Sequence, residues 1–170
     1  MTIEPEIKEL GRFLKEFNRE SDRGAALIAA SLLDQRLKEI LEGFLLEDKE
    51  SSALFSLPNA PLSTFSAKAS MAYSLCLIQK NEFEEITLIR RIRNEFGHKW
   101  KDVDFKNEKV VSYCNKLPWL GPSEHEKQAT ARSRFNFSVA ILSFDLVWRS
   151  RLVKKERRAH RIWPNRMRAT

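Results

Sequence analysis

Apolar residues recur every three or four positions along most of the chain, which is the spacing of amphipathic helices rather than strands. In the first such run, over residues 5–19, Ile7, Leu10 and Leu14 share one helical face. Pro5 suits the first turn of that helix, where its missing N–H has no partner to lose. The same spacing predicts helices over residues 22–46, 65–78, 82–96, 108–116 and 124–155. No alternating run is long enough to predict a strand, so the pattern indicates an all-α fold.

Capping residues and chain breakers separate these helices. The predicted N-caps are Ser21 or Asp22 for the second helix and Ser63 or Thr64 for the third. The predicted breaks are a loop over residues 47–64 with one short turn at 52–56, then Asn81, then Pro118 to Pro122. We therefore predict a single-domain antiparallel helical bundle over residues 1–155. Residues 156–170 form a basic C-terminal extension, either disordered or continuing the last helix.

Large apolar and aromatic side chains mark the surfaces that should be buried. The apolar face predicted for the last helix consists of Phe135, Val139, Leu142, Phe144, Leu146 and Val147. Trp100, Trp119 and Trp148 are interpreted as core or interface anchors rather than base-stacking platforms, because tryptophan contributes most when it is buried.

Residues 88–98 stand out because a strongly patterned helix ends there in three polar side chains, Arg93, Asn94 and His98. At 100° per residue, Arg93 falls between Ile86 and Ile89, so its stem is predicted to lie in or beside the core. Asn94 and His98 are four residues apart and share a neighbouring face. Gly97 is predicted to mark the helix end.

Two interpretations of this cluster stay open. The structural one has Arg93 paired with an acid such as Asp34 or Asp22, and His98 interacting with the carbonyl groups of the helix end. The functional one is a catalytic site of Arg93, Asn94 and His98 at a phosphate. A guanidinium fits phosphate oxygens and an imidazole can carry a proton near pH 7, which is the chemistry of metal-independent RNA cleavage.

The positive charge of the chain is concentrated at its C-terminal end. Residues 149–170 contain nine Lys and Arg against one acid, which leaves 21 basic and 22 acidic residues in the remainder. A body close to neutrality disfavours a broad nucleic-acid face, whereas a basic tail is a common accessory for one. The candidate nucleic-acid-binding residues are Arg157, Arg158, Arg161 and Arg166, close to Trp163. The alternative is a solvated terminus.

Other features of the composition narrow the class of protein. The two cysteines, Cys76 and Cys114, are far apart and form no disulfide framework, which favours the reducing cytoplasm. No run approaches the roughly 18 apolar residues of a membrane span, so no membrane association is expected. Three scattered histidines predict no metal site, and no motif predicts a cofactor.

Two family resemblances emerge from these residues. The segment Arg93-Asn94-Glu95-Phe96-Gly97-His98 resembles the Arg-Asn-x-x-x-His signature of the HEPN superfamily of helical bundles. In ribonuclease members of that superfamily, the Arg and His belong to a composite site formed by two protomers. A longer pattern is similar to the mannitol-operon repressor (MtlR-like) family, in the segments Phe13–Phe17, Ser21–Leu37, Pro61–Lys68 and Ile89–His98. The basic tail has no counterpart in that pattern.

The MtlR-like pattern also contains Asp22, Arg23, Asp34 and Arg36. One interpretation is that they form salt bridges between the long second helix and residues 88–98. The other is that they orient the side chain of Arg93 or His98 without contacting the phosphate themselves. Lys68, also within the pattern, is predicted to be solvated.

The resemblance implies a cytoplasmic bacterial regulatory protein of the mannitol-operon repressor type. It would act by binding a partner protein or nucleic acid, either RNA or DNA. A homodimer is expected. One alternative is a metal-independent HEPN-type ribonuclease with Arg93 and His98 at the dimer interface. Another is a non-catalytic helical interaction module of a toxin–antitoxin or defence system.

Overall fold

A computed structural model describes residues 4–56, 59–98 and 103–164, with the backbone but not the side chain of His98. Helices are the only regular elements in these residues, which confirms the all-α prediction. The α-helices are α1 Pro5–Phe17, α2 Asp22–Phe44, α3 Lys49–Ser56, α4 Phe65–Ser74, α5 Lys80–His98, α6 Glu108–Cys114 and α7 Ala131–Lys154. A 3₁₀ helix covers Ser123–Gln128. None of the described helices is both long and apolar enough to cross a bilayer.

Helix α2 lies at the centre of the bundle and packs against α1, α4, α5 and α7. Its first half is built of small residues, and Ala25, Ala26 and Ala29 are completely buried, which lets the neighbouring helices approach closely. Its second half contributes larger buried side chains, including Leu33 and Leu37. Helix α5 supplies the facing stripe, made of the fully buried Ile86, Ile89, Ile92 and Phe96.

Two of the predicted helix starts are confirmed by side-chain caps. The Ser21 hydroxyl accepts a hydrogen bond from the Gly24 backbone N–H at 3.1 Å and begins α2. The Thr64 hydroxyl accepts one from the Ala67 N–H at 3.1 Å and begins α4. Each cap satisfies a donor that the first helical turn leaves without an intrahelical partner.

Helix α4 ends four residues earlier than predicted, and Asn81 is not a break. Cys76 has a left-handed backbone with φ of 57°. The Cys76 N–H donates to the Tyr73 carbonyl and the Leu77 N–H to the Ala72 carbonyl, both at 2.9 Å, which is the Schellman ending of a helix. The sequence concealed this ending because glycine usually holds that position.

Helices α3 and α7 also differ from their predicted bounds. Helix α3 spans eight residues where only a short turn was expected. Helix α7 begins at Ala131 rather than at residue 124, because the Thr130 side chain caps it by accepting from the Ser133 N–H at 3.1 Å. Phe144 is 44% exposed and does not belong to the buried face of α7. It lies about 180° from Phe135 around the helix, so the predicted face was too wide.

After α7 the chain has no helix over residues 157–164, so this part of the tail does not extend α7. The Arg158 N–H instead donates to the Phe44 carbonyl at 2.8 Å and attaches the chain to the end of α2. Both cysteines are free thiols, with Cys76 exposed and Cys114 buried. The division into a domain and a tail stays a prediction.

Candidate functional site

Arg93 is exposed as a whole residue, so its charged end is solvated, and the position of its stem beside the core stays a prediction. The face of α5 that carries Arg93 borders an open groove and not a packed neighbour. A long side chain beside such an opening can extend its charged end into water. The Arg93 Nη1 donates to the Asn94 side-chain oxygen at 3.2 Å, which joins two of the three predicted catalytic residues.

The groove beside Arg93, called the Arg93 groove below, has a volume of about 540 Å³. Three helices form its walls: α2, the start of α4 and the C-terminal half of α5. Its lining residues are Leu27, Ala30, Ser31, Asp34, Thr64, Phe65, Ser66, Arg90, Arg93 and Asn94. Two guanidinium groups and the start of a helix thus border one opening, an arrangement that favours an anion.

An ion pair between a buried lysine and a partly exposed aspartate lies at the edge of this groove. The Lys68 Nζ is 2.7 Å from the Asp34 Oδ1, and the lysine is only 4% exposed. The prediction that Lys68 is solvated was therefore wrong. Phe65, Lys68, Ala69 and Ala72 share one face of α4, so helical spacing already placed the lysine among core residues.

Asp22 and Arg23 connect α2 to its neighbours. The Asp22 Oδ2 accepts from the Phe105 N–H at 3.0 Å, and its Oδ1 lies 3.0 Å from the Arg132 Nη1. Arg23 donates to the carbonyl oxygen of Phe96, in the last turn of α5. Arg23 therefore supports the helix end that carries Arg93 and Asn94, whereas Asp22 stabilises the junction with α7.

Arg36 lies on the other side of α2 from Asp34. Residues two positions apart differ by about 200° around a helix, so the two side chains cannot both face the Arg93 groove. Arg36 is 5% exposed and pairs with Glu39 at 2.8 Å, and its Nε has no hydrogen-bond partner among the described residues. It borders a separate groove between α1, α2 and α7. The position of Arg36 is therefore inconsistent with its predicted role of orienting Arg93.

The chemistry available in the Arg93 groove is anion binding. Asp34 is the described carboxylate there, and it is already paired with Lys68. His98 is the last residue of α5, and its side chain lies outside the described residues. Among the described side chains, no group of three or more His, Cys, Asp and Glu could hold a metal ion.

Comparison with known proteins bears on the fold. No protein family and no curated protein matches the sequence. The described fold is similar to a chain in the X-ray structure of the MtlR-HPr complex from Escherichia coli, with a TM-score of 0.55 and 18% sequence identity. The similarity covers 86% of this chain and 97% of that chain. The chain has an MtlR-like fold.

Within this MtlR-like fold, a second groove lies on the other side of α5, between its first three turns and residues 116–120. This opening, called the Glu85 groove below, has a volume of about 640 Å³. Its apolar lining consists of Phe83, Leu88, Pro118 and Leu120, and its polar lining of Asn81, Glu84, Glu85, Thr87, Arg91 and Lys116. Apolar side chains with charges of both signs at the rim are typical of protein-binding surfaces.

Two buried carboxylates belong to the first turns of α5: Glu85 lines the Glu85 groove, and Glu82 lines a neighbouring opening together with Arg149. Glu82 is 5% exposed, and its two carboxylate oxygens accept from Arg149 of α7 at 2.8 and 3.1 Å. Glu82 also accepts from the Gln79 N–H at 2.6 Å and so caps α5. Burial raises the pKa of Glu85 to about 7, and the nearby Glu82 and Asp145 carboxylates contribute to this shift.

The described arginines of the tail bind the protein itself. The Arg157 Nε donates to the Gly43 carbonyl at 3.2 Å and its Nη2 to the Glu42 carbonyl at 3.3 Å. The guanidinium of Arg158 lies 4.9 Å from the centroid of the Phe44 ring. The Arg157 side chain thus satisfies carbonyl groups in the last turn of α2, and Arg158 packs on the same helix end, which gives two predicted nucleic-acid-binding residues a structural task. Arg161 lies over the Trp163 ring, and Arg166 is outside the described residues.

Sequence reasoning missed Glu82, Glu85 and Arg149, although a signal for Glu82 was present. Glu82 falls within about 40° of Ile86 and Ile89 on the α5 wheel, on the stripe that faces the core. Its partner could not be predicted, because Arg149 lies in α7 and was counted with the basic tail.

Proposed function

We propose that this chain is a cytoplasmic regulatory protein that acts by binding a partner protein, and that HPr is the partner to test. The observation that carries the proposal is the MtlR-like fold, which extends over nearly all of a chain found in a complex of MtlR with HPr. The near-neutral body and the internal contacts of Arg157 also favour a protein partner over nucleic acid.

The Glu85 groove is the surface proposed for this partner. Leu120 is 36% exposed at its edge, and Glu84, Arg91 and Lys116 supply charges of both signs along its border. An apolar centre with charges of both signs can receive a hydrophobic side chain and orient it through polar contacts at the rim. Leu120 lies outside the helices, so it can be replaced without disturbing their packing.

Titration calorimetry of the full chain with HPr from the same organism tests the proposal. We expect saturable binding with a Kd on the order of micromolar, and at least about tenfold weaker binding for Leu120→Glu. Met71→Glu is the matched control, because Met71 is 38% exposed on α4 and does not line the groove. Absence of binding at about 100 µM HPr would overturn the choice of partner.

A second candidate function is metal-independent RNA cleavage by Arg93, Asn94 and His98. The observation that favours it is the Arg93 groove, where Arg90 joins Arg93 and Asn94 beside the start of α4. Wild-type protein should then cut single-stranded RNA in EDTA, and Arg93→Ala and His98→Ala should each abolish cleavage. RNA that survives equally with all three proteins would exclude this function.

A further inference from the structure

Helix α7 carries an apolar stripe on its exposed face. Ile141 is 41% exposed, Phe144 44%, Trp148 36% and Leu152 54%. Successive members are three or four residues apart, so they form one line about 16 Å long on the helix surface. The Phe144 and Trp148 rings meet edge to face with their centroids 6.3 Å apart. The four residues are called the α7 stripe below.

The α7 stripe is one continuous patch rather than a set of scattered apolar residues, and the largest patch on a protein surface is often a binding site. Large side chains expose roughly 150–250 Å² each when free, so these partly covered residues together expose about 300 Å². A standard interface buries about 800 Å² on each partner, with an apolar centre and a polar rim. The stripe therefore has the size of an interface centre, and the polar flanks of α7 can supply the rim.

The α7 stripe is complementary to itself when two copies of the helix lie antiparallel. Ile141 then meets Leu152 of the other copy, and Phe144 meets Trp148. The midpoints of these two residue pairs along the sequence differ by less than one residue, so one two-fold axis near residues 146–147 serves both. A closed symmetric dimer needs this kind of surface, in which each contact is made twice.

Charge follows the same symmetry. Asp145 and Arg149 lie one turn apart on one flank of the stripe, and the same axis places Asp145 opposite Arg149 of the other copy. Asp145 has a raised pKa because of burial and the nearby Glu82 carboxylate, so an additional cation would favour its charged form. Arg149 is held in place by Glu82 and by the Leu77 carbonyl, at 2.9 Å from the latter.

We propose that the α7 stripe is the interface of a two-fold homodimer, with two α7 helices antiparallel and crossing near residues 146–147. No residue of the α7 stripe lines the Arg93 groove or the Glu85 groove. The residues that line these two grooves therefore lie outside the apolar centre of the dimer interface. The inference does not depend on the proposed binding of HPr.

Sedimentation velocity between about 1 and 100 µM tests the dimer. Wild-type protein should be a dimer with a Kd on the order of micromolar, and Phe144→Glu should raise the Kd at least about 100-fold. Met71→Glu, at a site of similar exposure, should leave the Kd unchanged. Circular dichroism checks folding, and Ile141→Glu is the second variant if Phe144→Glu fails to fold. A monomeric wild type, or a dimer that persists in the folded stripe variant, would overturn the proposal.

Disulfide cross-linking tests the antiparallel register. In a Cys76→Ser background, one preparation carries Phe144→Cys and another Trp148→Cys. The proposed axis brings position 144 close to position 148 of the other copy, so the mixture should cross-link about tenfold faster than either preparation alone. Equal rates, or no cross-linking in a protein that is a dimer, would overturn this register.

Discussion

The two ends of α5 both carry charged residues, but they differ in what surrounds the charge. At the N-terminal end, Glu82 is 5% exposed and is held by Arg149 and the Gln79 N–H. At the C-terminal end, Arg93 is exposed and contacts its neighbour Asn94. Glu82 and Arg149 must stay paired for the protein to be stable, because a buried charge without a partner is costly. Arg93 needs no such partner, because water can solvate it.

The same contrast separates the two grooves. The Glu85 groove has an apolar lining and a carboxyl group with a raised pKa. The Arg93 groove is bordered by two arginines and by polar groups of α2 and α4. The first surface suits a protein partner and the second suits an anion, so the two candidate functions are assigned to different sides of one helix.

The largest expected effect on stability comes from breaking the buried pair of Glu82 and Arg149. Arg149→Ala leaves the Glu82 carboxylate buried without its guanidinium, and the free energy of unfolding should fall by about 3 kcal/mol. Urea unfolding measures the loss. The double variant Glu82→Gln with Arg149→Met should recover most of it, because no unpaired charge then remains.

Lys80→Ala is the matched control for this prediction. Lys80 and Glu84 are an exposed pair 3.9 Å apart in the same turn region of α5. Their loss should change the free energy of unfolding by less than about 0.5 kcal/mol. A similarly small loss for Arg149→Ala would contradict the distinction between the two ends of α5.

An intermediate effect is expected for Glu85, and it should depend on pH. Its pKa is raised from 4.5 to about 7 in the folded protein, so folding favours the protonated form. The stabilisation it provides is complete below pH 4.5 and is lost as the pH rises through about 7. Glu85→Gln should therefore be more stable than wild type by about 1–2 kcal/mol at pH 8, after allowance for partial solvation.

Thermal or urea unfolding across the pH range measures this difference. The two proteins should converge as the pH falls towards 4.5, because wild-type Glu85 is then protonated as well. A difference between wild type and Glu85→Gln that does not vary with pH would contradict the assignment of the titration to Glu85.

The smallest expected effect is on the exposed end of α5. Arg93→Ala should change the free energy of unfolding by less than about 0.5 kcal/mol, because the side chain is solvated and its described hydrogen bond joins adjacent residues. Urea unfolding beside Arg149→Ala provides the comparison. A loss above about 1 kcal/mol would show that Arg93 supports the fold and would weaken its assignment to ligand binding.

The helices could be predicted from local pattern because each depends on neighbours in sequence. Ser21 and Thr64 cap α2 and α4 as expected, and the apolar stripe of α5 is completely buried. The end of α4 could not be predicted, since Cys76 adopts a left-handed backbone with φ of 57° that sequence preference assigns to glycine. At this helix end, the two hydrogen bonds of the Schellman ending outweigh the preference of cysteine for a negative φ.

The candidate site was only partly predictable. Arg93 and Asn94 lie near the end of α5 and share a hydrogen bond, and their catalytic role stays a prediction. Arg90, in the same groove, was missed because only the packing of α2, α4 and α5 shows which face of α5 stays open. The arrangement of Asp34 and Arg36 on opposite sides of α2 followed from helical geometry and could have been predicted.

The sequence by itself determined the all-α class, most helices and the concentration of basic residues at the C-terminal end, because periodicity, capping and charge are local properties. The tertiary structure decided which charges are buried and with what they pair. Lys68 lies with Asp34, Glu82 with Arg149, and Arg157 with the end of α2. These pairs join residues far apart in the chain, so the close packing of helices selects them and no local pattern predicts them.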